Sequence, residues 1–382
     1  MDANTISLPA PADWHVHLRQ GALSSLVTPH VRKGGFHLAY VMPNLKPPIT
    51  TTAQALAYHA ALRAIDPSVT YLMTLYLSPE LTPEGVREAH AAGVVGVKSY
   101  PRGVTTNSDG GIESYEAYYP VFAAMQDVGL VLNLHGEVPS SAEANTCVLN
   151  AENAFLPHLA ALHAAFPRLR IVLEHATTRA AVDMVRSLGP TVGCTITAHH
   201  LALTVDDWAG QAWHFCKPVA KYPDDRAALR EVIKEGASPF SSLLPSSLLP
   251  PSPFLHLSLL THLRPGHPRF FLGSDSAPHP PPTKATSTPQ SACAAGVYTS
   301  PVLLPLLAHL LEDFGALGRL EGFVSAFGRA FYGRPVGEGM GEGRSVLRRV
   351  EGRRVREEYS LGGESVVPFW AGRELRWELV EE

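Results

Sequence analysis

Eight short apolar runs of strand length, most of them followed by a longer segment of helical spacing, constrain this chain more than any other feature. The runs are DWHVHL, HLAYVMP, VTYLMTLYL, VVGVKSY, LVLNLH, RIVLEH, TVGCTITA and RFFLGSD. Each is rich in β-branched, aromatic or other apolar residues and too short for a buried helix. Between them the spacing predicts helices at 52–65, 82–92, 114–128, 153–166, 179–188 and 224–235, several ending near Gly or Pro. Eight such alternations over 382 residues predict an α/β fold, a (β/α)8 barrel. A doubly wound open sheet shares this periodicity. Against it, no Gly-rich phosphate loop follows an early strand, as a dinucleotide-binding sheet requires.

Two segments interrupt the pattern. Residues 236–268 are rich in Ser, Pro and Leu and read as an inserted surface loop before the last strand. Residues 332–358 mix Gly with alternating charge and read as a solvated extension, followed by a strand pair around VVPFWAG and ELRWELV. The expected organisation is a barrel over residues 1–335 and a C-terminal extension, 336–382, packed on it.

Composition narrows the chemistry. Hydrophobic residues make up 45% of the chain, enough for a large core, and the formal net charge is −4. No dense basic block precedes the C-terminal tail, so neither a nucleic-acid nor a membrane-surface partner is expected, and a small-molecule substrate is. The four cysteines, Cys147, Cys194, Cys216 and Cys293, are far apart with no C-x-x-C pair. Free, mostly buried thiols in a reducing compartment are expected. The first residues lack a charged-then-apolar leader, and no apolar run approaches membrane-spanning length, so the expected location is cytoplasmic.

The reactive side chains gather at strand ends. In DWHVHLR, His15 and His17 are two apart and share one face of an extended chain. The fourth run ends on Lys98, the fifth on His135, the sixth on His175 and the eighth on Asp275. In a barrel all six point into the C-terminal mouth, where sites of this fold lie. Singly, each has an ordinary explanation: a hydrogen-bonded histidine, a lysine reaching solvent, a helix-capping aspartate. Independent structural roles do not require that all six share one end of their strands. Four imidazoles and a carboxylate suit zinc or a similar divalent ion. An ammonium has no lone pair for a metal and repels it, so Lys98 must be changed chemically. Carbon dioxide added to its neutral amine gives an anionic carbamate whose two oxygens could bridge two ions.

In this order, DWHVHLR, MPNLKPP, VKSYPRGVTTNSDGG, LNLHGEV, LEHATT, TAHHL, FCKPVAK and GSDSAPH resemble dihydroorotase. The likeness is to the single-function fungal and bacterial type within the amidohydrolase superfamily of metal-dependent barrels. The resemblance implies a cytoplasmic, zinc-dependent cyclic amidohydrolase of pyrimidine biosynthesis that interconverts N-carbamoyl-L-aspartate and L-dihydroorotate. It implies one zinc held by His15, His17, carboxylated Lys98 and Asp275, and a second held by Lys98, His135 and His175, with a bridging hydroxide or water. Asp275 would be the general acid and base. Arg19, Asn44 and His279 match residues that bind the substrate carboxylate, and His17 and His135 also fall beside the substrate. Lys217 and Ala295 match positions that touch the ring largely through backbone atoms. Thr105 and Thr106 match a mobile loop over the site, and a homodimer is common among such proteins.

The sequence departs from that family in the 236–268 insertion and in the Pro-rich spacing after His279. Lys217 replaces an apolar residue of bacterial relatives. Arg19 alone would read as a solvated charge and Asn44 as a turn former. His199 and His200 are assigned structural roles because the ligand set is complete without them. His59, His90 and His309 read as surface residues of helices. Two rivals remain: another cyclic amidase, such as a hydantoinase or dihydropyrimidinase, and a barrel that survives as a non-catalytic scaffold.

Overall fold

The computed structural model describes residues 4–235, 267–285, 292–337 and 340–380. The first strand, β1 (Thr5–Pro9), leads directly into the predicted series: β2 (Ala12–Val16), β3 (Leu38–Val41), β4 (Thr70–Tyr76), β5 (Gly96–Ser99), β6 (Val131–His135), β7 (Ile171–Glu174), β8 (Val192–Ile196) and β9 (Phe270–Leu272). β2 to β9 form one eight-stranded sheet in chain order, every neighbouring pair parallel. Its two ends meet where the Asp275 N–H donates to the His15 carbonyl at 2.8 Å and the His17 N–H to the Ser276 carbonyl at 3.1 Å. The barrel therefore closes through the residues just beyond β2 and β9, which are those expected at the site.

Five predicted helices form within a few residues of their expected bounds, as Thr52–Ile65, Pro83–Ala91, Ala151–Ala165, Arg179–Ser187 and Pro223–Lys234. Side-chain oxygens of Thr51, Thr82 and Thr178 start three of them by accepting a free backbone N–H. The helix expected from 114 begins instead at Tyr119, with Pro120 in its first turn, where the missing proline N–H costs nothing. The outward faces of the strands pack on these helices through fully buried residues such as Leu62, Ala89, Phe122, Leu159 and Val185. Trp14, Tyr40, Val172 and Phe271 form a second cluster with Phe327 and Tyr332, in which the Trp14 and Tyr332 rings stack at 4.3 Å.

Gly96 shows why β5 carries a glycine two residues before Lys98. A Cβ there would lie 2.3 Å from the Tyr40 hydroxyl and 2.8 Å from Asn133 Oδ1. No side chain fits beneath the lysine.

The C-terminal expectation needs correction. Residues within 332–358 are not all solvated coil: β10 (Arg344–Arg354) is the longest strand described and lies between β1 and β13 (Glu374–Leu379) in an antiparallel sheet. The start of VVPFWAG does not pair with ELRWELV but belongs to β12 (Glu364–Val366), which pairs with β11 (Tyr359–Leu361). Arg348 and Arg353 both reach Glu378, and Arg354 reaches Glu374, so the alternating charges are cross-strand pairs. All but the last two residues of the 236–268 insertion lie outside the described residues. The cysteines are free, but only Cys194 and Cys216 are buried; Cys147 is exposed and Cys293 is half-buried. Among the described residues no helix is long and apolar enough to cross a membrane.

Candidate metal and substrate site

At the C-terminal mouth the strand-end residues converge. His17 Nε2 lies 2.9 Å, and His15 Nε2 3.4 Å, from Asp275 Oδ1. The His175 ring centroid is 5.1 Å from that of His15 and 4.8 Å from that of His135. Of the thirteen residues expected at the site, all but Lys98 and His279 line one small cavity, together with Tyr100, Ala277 and Gly296. Lys98 is fully buried at its base, with Nζ 5.2 Å from the centroid of the Tyr100 ring. His279 stands at the rim, touching Arg19 and Ala295.

Backbone conformation delivers two of these groups. Strand alternation puts Glu174 on the face of Val172, in the inner cluster, and would turn His175 outward. His175 instead has φ of 41°, and Asp275 has φ of 44°, in the left-handed region that disfavours non-glycine residues. The strained turns bring both side chains into the mouth.

The hydrogen-bond chemistry fixes which imidazole nitrogens are bare. Glu174 can only accept when ionised, so His15 Nδ1 donates to its Oε2 at 2.8 Å and Nε2 carries no proton in the neutral ring. Asn44 Nδ2 donates to the Thr106 carbonyl at 3.1 Å, which orients its Oδ1 to accept from His17 Nδ1 at 2.8 Å. His17 Nε2 is therefore also bare. His135 gives its Nε2 proton to Glu137 at 2.9 Å and keeps Nδ1 as its lone pair. His175 Nδ1 has no partner.

Burial favours the neutral form of three of these rings: it pushes His17 down to about 4 against the pull of Asp275, lowers His135, and holds His175 well below the imidazole range. Two bare nitrogens thus face one carboxylate oxygen at contact distance. An arrangement of lone pairs alone is repulsive, and a divalent cation among them removes the repulsion. Lys98 fits the same site for a different reason. Its Nζ is buried without a hydrogen-bond partner, and burial pushes the ammonium down to about 8 despite Glu174 and Asp275. The donor set of imidazole nitrogens and carboxylate-type oxygens fits divalent metal ions.

Beside it lies a site for an anion. Arg19, itself at φ of 57°, donates from Nε to the Pro278 carbonyl at 3.0 Å, and its Nη2 lies 3.1 Å from His279 Nε2. Burial pushes His279 down to about 2, so it stays neutral; with its proton on Nε2 it donates to the Ala295 carbonyl at 3.0 Å and leaves Nη2 free for a carboxylate. Thr106 Oγ1 donates to the same carbonyl at 3.3 Å and Asn107 Nδ2 to the Asn44 carbonyl at 2.8 Å, so the 105–108 turn lies over the mouth. Lys217 and Ala295 also line the cavity.

A second donor group, His199, His200 and Cys216, is buried nearby. His200 Nε2 at 3.0 Å and Cys216 Sγ at 3.2 Å both meet the Pro218 carbonyl, an acceptor that binds them in their protonated forms. The His199 ring nitrogens have no partner. The His200 and Cys216 donors are thus spent on that carbonyl, and those of His199 are not. Sequence reasoning missed Glu174, Glu137 and Asn133. Asn133 Nδ2 donates to Glu174 Oε1 at 2.7 Å, and the Tyr40 hydroxyl to Asn133 Oδ1 at 2.9 Å, extending the support of His15 inward. The available signal was a carboxylate directly before one strand-end histidine and two residues after another.

The family model described as Amidohydrolase matches residues 36–188. A dihydroorotase of Mycosarcoma maydis is 52% identical over an alignment 422 positions long, covering 100% of both chains. The crystal structure of dihydroorotase from Saccharomyces cerevisiae in complex with 5-fluoroorotic acid superposes with a TM-score of 0.86 at 40% identity, covering 99% of each chain. L-hydantoinase (dihydropyrimidinase) from Arthrobacter aurescens superposes with a TM-score of 0.76 at 18% identity, over 98% of this chain and 83% of that one, and shares the fold.

Proposed function

This chain belongs to the dihydroorotase family of metal-dependent amidohydrolases, and on that premise we propose how its own residues interconvert N-carbamoyl-L-aspartate and L-dihydroorotate. The observation that carries the reading is the convergence of His15 Nε2 and His17 Nε2 on Asp275 Oδ1, at 3.4 and 2.9 Å. His15, His17, Asp275 and Lys98 would hold one zinc ion, and Lys98, His135 and His175 a second, with Lys98 carboxylated so that its two oxygens are shared. When bound, the two cations polarise the amide carbonyl and lower the pKa of water.

The chain supplies the remainder. In hydrolysis Asp275 takes a proton from the attacking water as its oxygen bonds to the ring carbonyl carbon. The same carboxyl then gives that proton to the ring nitrogen as the carbon–nitrogen bond breaks. In ring closure the ureido nitrogen bonds to the carbon of the protonated side-chain carboxyl, Asp275 takes the nitrogen's proton and returns it to the leaving oxygen, and the carbon–oxygen bond breaks to release water. Arg19, with Asn44 and His279, binds the other carboxylate, for which a guanidinium fork is suited. That clamp fixes the substrate's orientation, and the Thr105–Thr106 turn excludes water while it is closed. Lys217 and Ala295 contact the ring.

Parallel assays with L-dihydroorotate and dihydrouracil test this reading. Hydrolysis of the carboxylated ring in strong preference is expected, and preferential turnover of the uncharged ring would place the chain with the hydantoinase type. Purified protein that binds no metal and turns over neither would be a scaffold.

A further inference from the structure

We propose that Lys284 is a positioning residue, which clamps the segments after β8 and β9 so that the backbone N–H of Ala295 faces the substrate ring. The proposal rests on the reading that Ala295 contacts the ring.

Lys284 ends the short helix Pro281–Lys284 and is 2% exposed. A buried ammonium is costly unless its protons are all placed. Here Nζ donates to three carbonyls, those of Phe215 at 2.9 Å, Ala294 at 2.9 Å and Gly296 at 2.8 Å. The three acceptors come from two separate segments. Phe215 lies two residues before Lys217, and Ala294 and Gly296 flank Ala295. The Gly296 N–H also donates to the Phe215 carbonyl at 3.0 Å, and the Ala294 N–H to the Thr283 carbonyl at 2.9 Å, so the clamp ties into a small ladder.

The consequence for Ala295 follows from peptide planarity. In a trans peptide the N–H points opposite to the carbonyl. With the Ala294 carbonyl drawn to Lys284, the Ala295 N–H points away from it, toward the mouth. The Ala295 carbonyl also turns away from the lysine, meeting His279 Nε2 at 3.0 Å and Thr106 Oγ1 at 3.3 Å. With that carbonyl taken by His279 and Thr106, Ala295 is left with its N–H as a donor for a carbonyl oxygen of a cyclic ureide. Without the cation, three carbonyls lose their shared donor and the Ala294–Gly296 peptides are free to rotate.

Steady-state kinetics of the metal-replete variant Lys284→Met with L-dihydroorotate tests this. KM is expected to rise roughly tenfold or more while kcat stays within about threefold and metal content equals that of the wild type. Lys284→Arg keeps the charge but cannot aim three donors from one atom; it is expected to raise KM as well, and it decides the matter if Lys284→Met does not fold. An unchanged KM in a folded variant, or loss of activity through loss of metal, overturns the proposal. Wild-type turnover of dihydroorotate tests the underlying reading separately.

Discussion

Glu174 and His15, carried on β7 and β2, are joined by a 2.8 Å hydrogen bond from Nδ1 to Oε2 with both side chains buried. This single contact selects the tautomer of His15 and aims its bare Nε2 at Asp275. Asn133 Nδ2 and Thr195 Oγ1 also donate to Glu174, at 2.7 and 2.6 Å, so the carboxylate is held as an acceptor from three sides. Replacing it with an amide turns an N–H₂ toward one of those donors.

Glu174→Gln is therefore expected to weaken metal binding by roughly 10- to 100-fold, the usual effect of removing an outer partner of a ligand histidine. Equilibrium titration of the metal-free protein with zinc measures it. Wild-type affinity in the variant would mean that the His15 orientation does not depend on Glu174.

Binding of the substrate carboxylate by Arg19 would separate substrates that carry one from those that do not. Losing a charge-assisted pair costs about 1.5–3 kcal/mol, so Arg19→Met should lower kcat/KM for dihydroorotate by roughly 10- to 150-fold. Any turnover of dihydrouracil should be untouched. An equal loss for both rings would assign Arg19 to the fold and not to the anion.

Carboxylation of Lys98 needs the neutral amine. With burial pushing the ammonium down to about 8, roughly one lysine in ten is neutral at pH 7, against far fewer for an ordinary lysine. At fixed dissolved carbon dioxide, recovery of activity by decarboxylated, metal-free protein on adding zinc should quicken about tenfold per pH unit below 8 and level off above it. A rate that is flat across this range would contradict capture by a free amine.

The sequence made the convergence of His15, His17, Lys98, His135, His175 and Asp275 legible because barrel strands end at one mouth. Their supports were not legible. Glu174 directly precedes His175, and simple alternation gives only one of two neighbours to the interior. The positive φ of His175, which admits both, leaves no mark in a non-glycine residue. Arg19 and Asn44 look like surface residues until Pro278 and His17 are placed beside them. β10 was hidden for a different reason. Of its first five residues only Ser345 and Leu347 are buried, and its charged positions pair across strands, so its apolar signal is too thin to mark a strand.

The central claim is that Lys98 serves as a masked carboxylate shared by two metal ions. The most direct measurement is the metal content of wild-type protein and of Lys98→Ala and Lys98→Glu, prepared side by side, with dihydroorotate turnover measured on each. Two ions per chain are expected in the wild type, loss of tight binding and of activity in Lys98→Ala, and partial recovery of both in Lys98→Glu. Unchanged metal content and turnover in Lys98→Ala would contradict the claim.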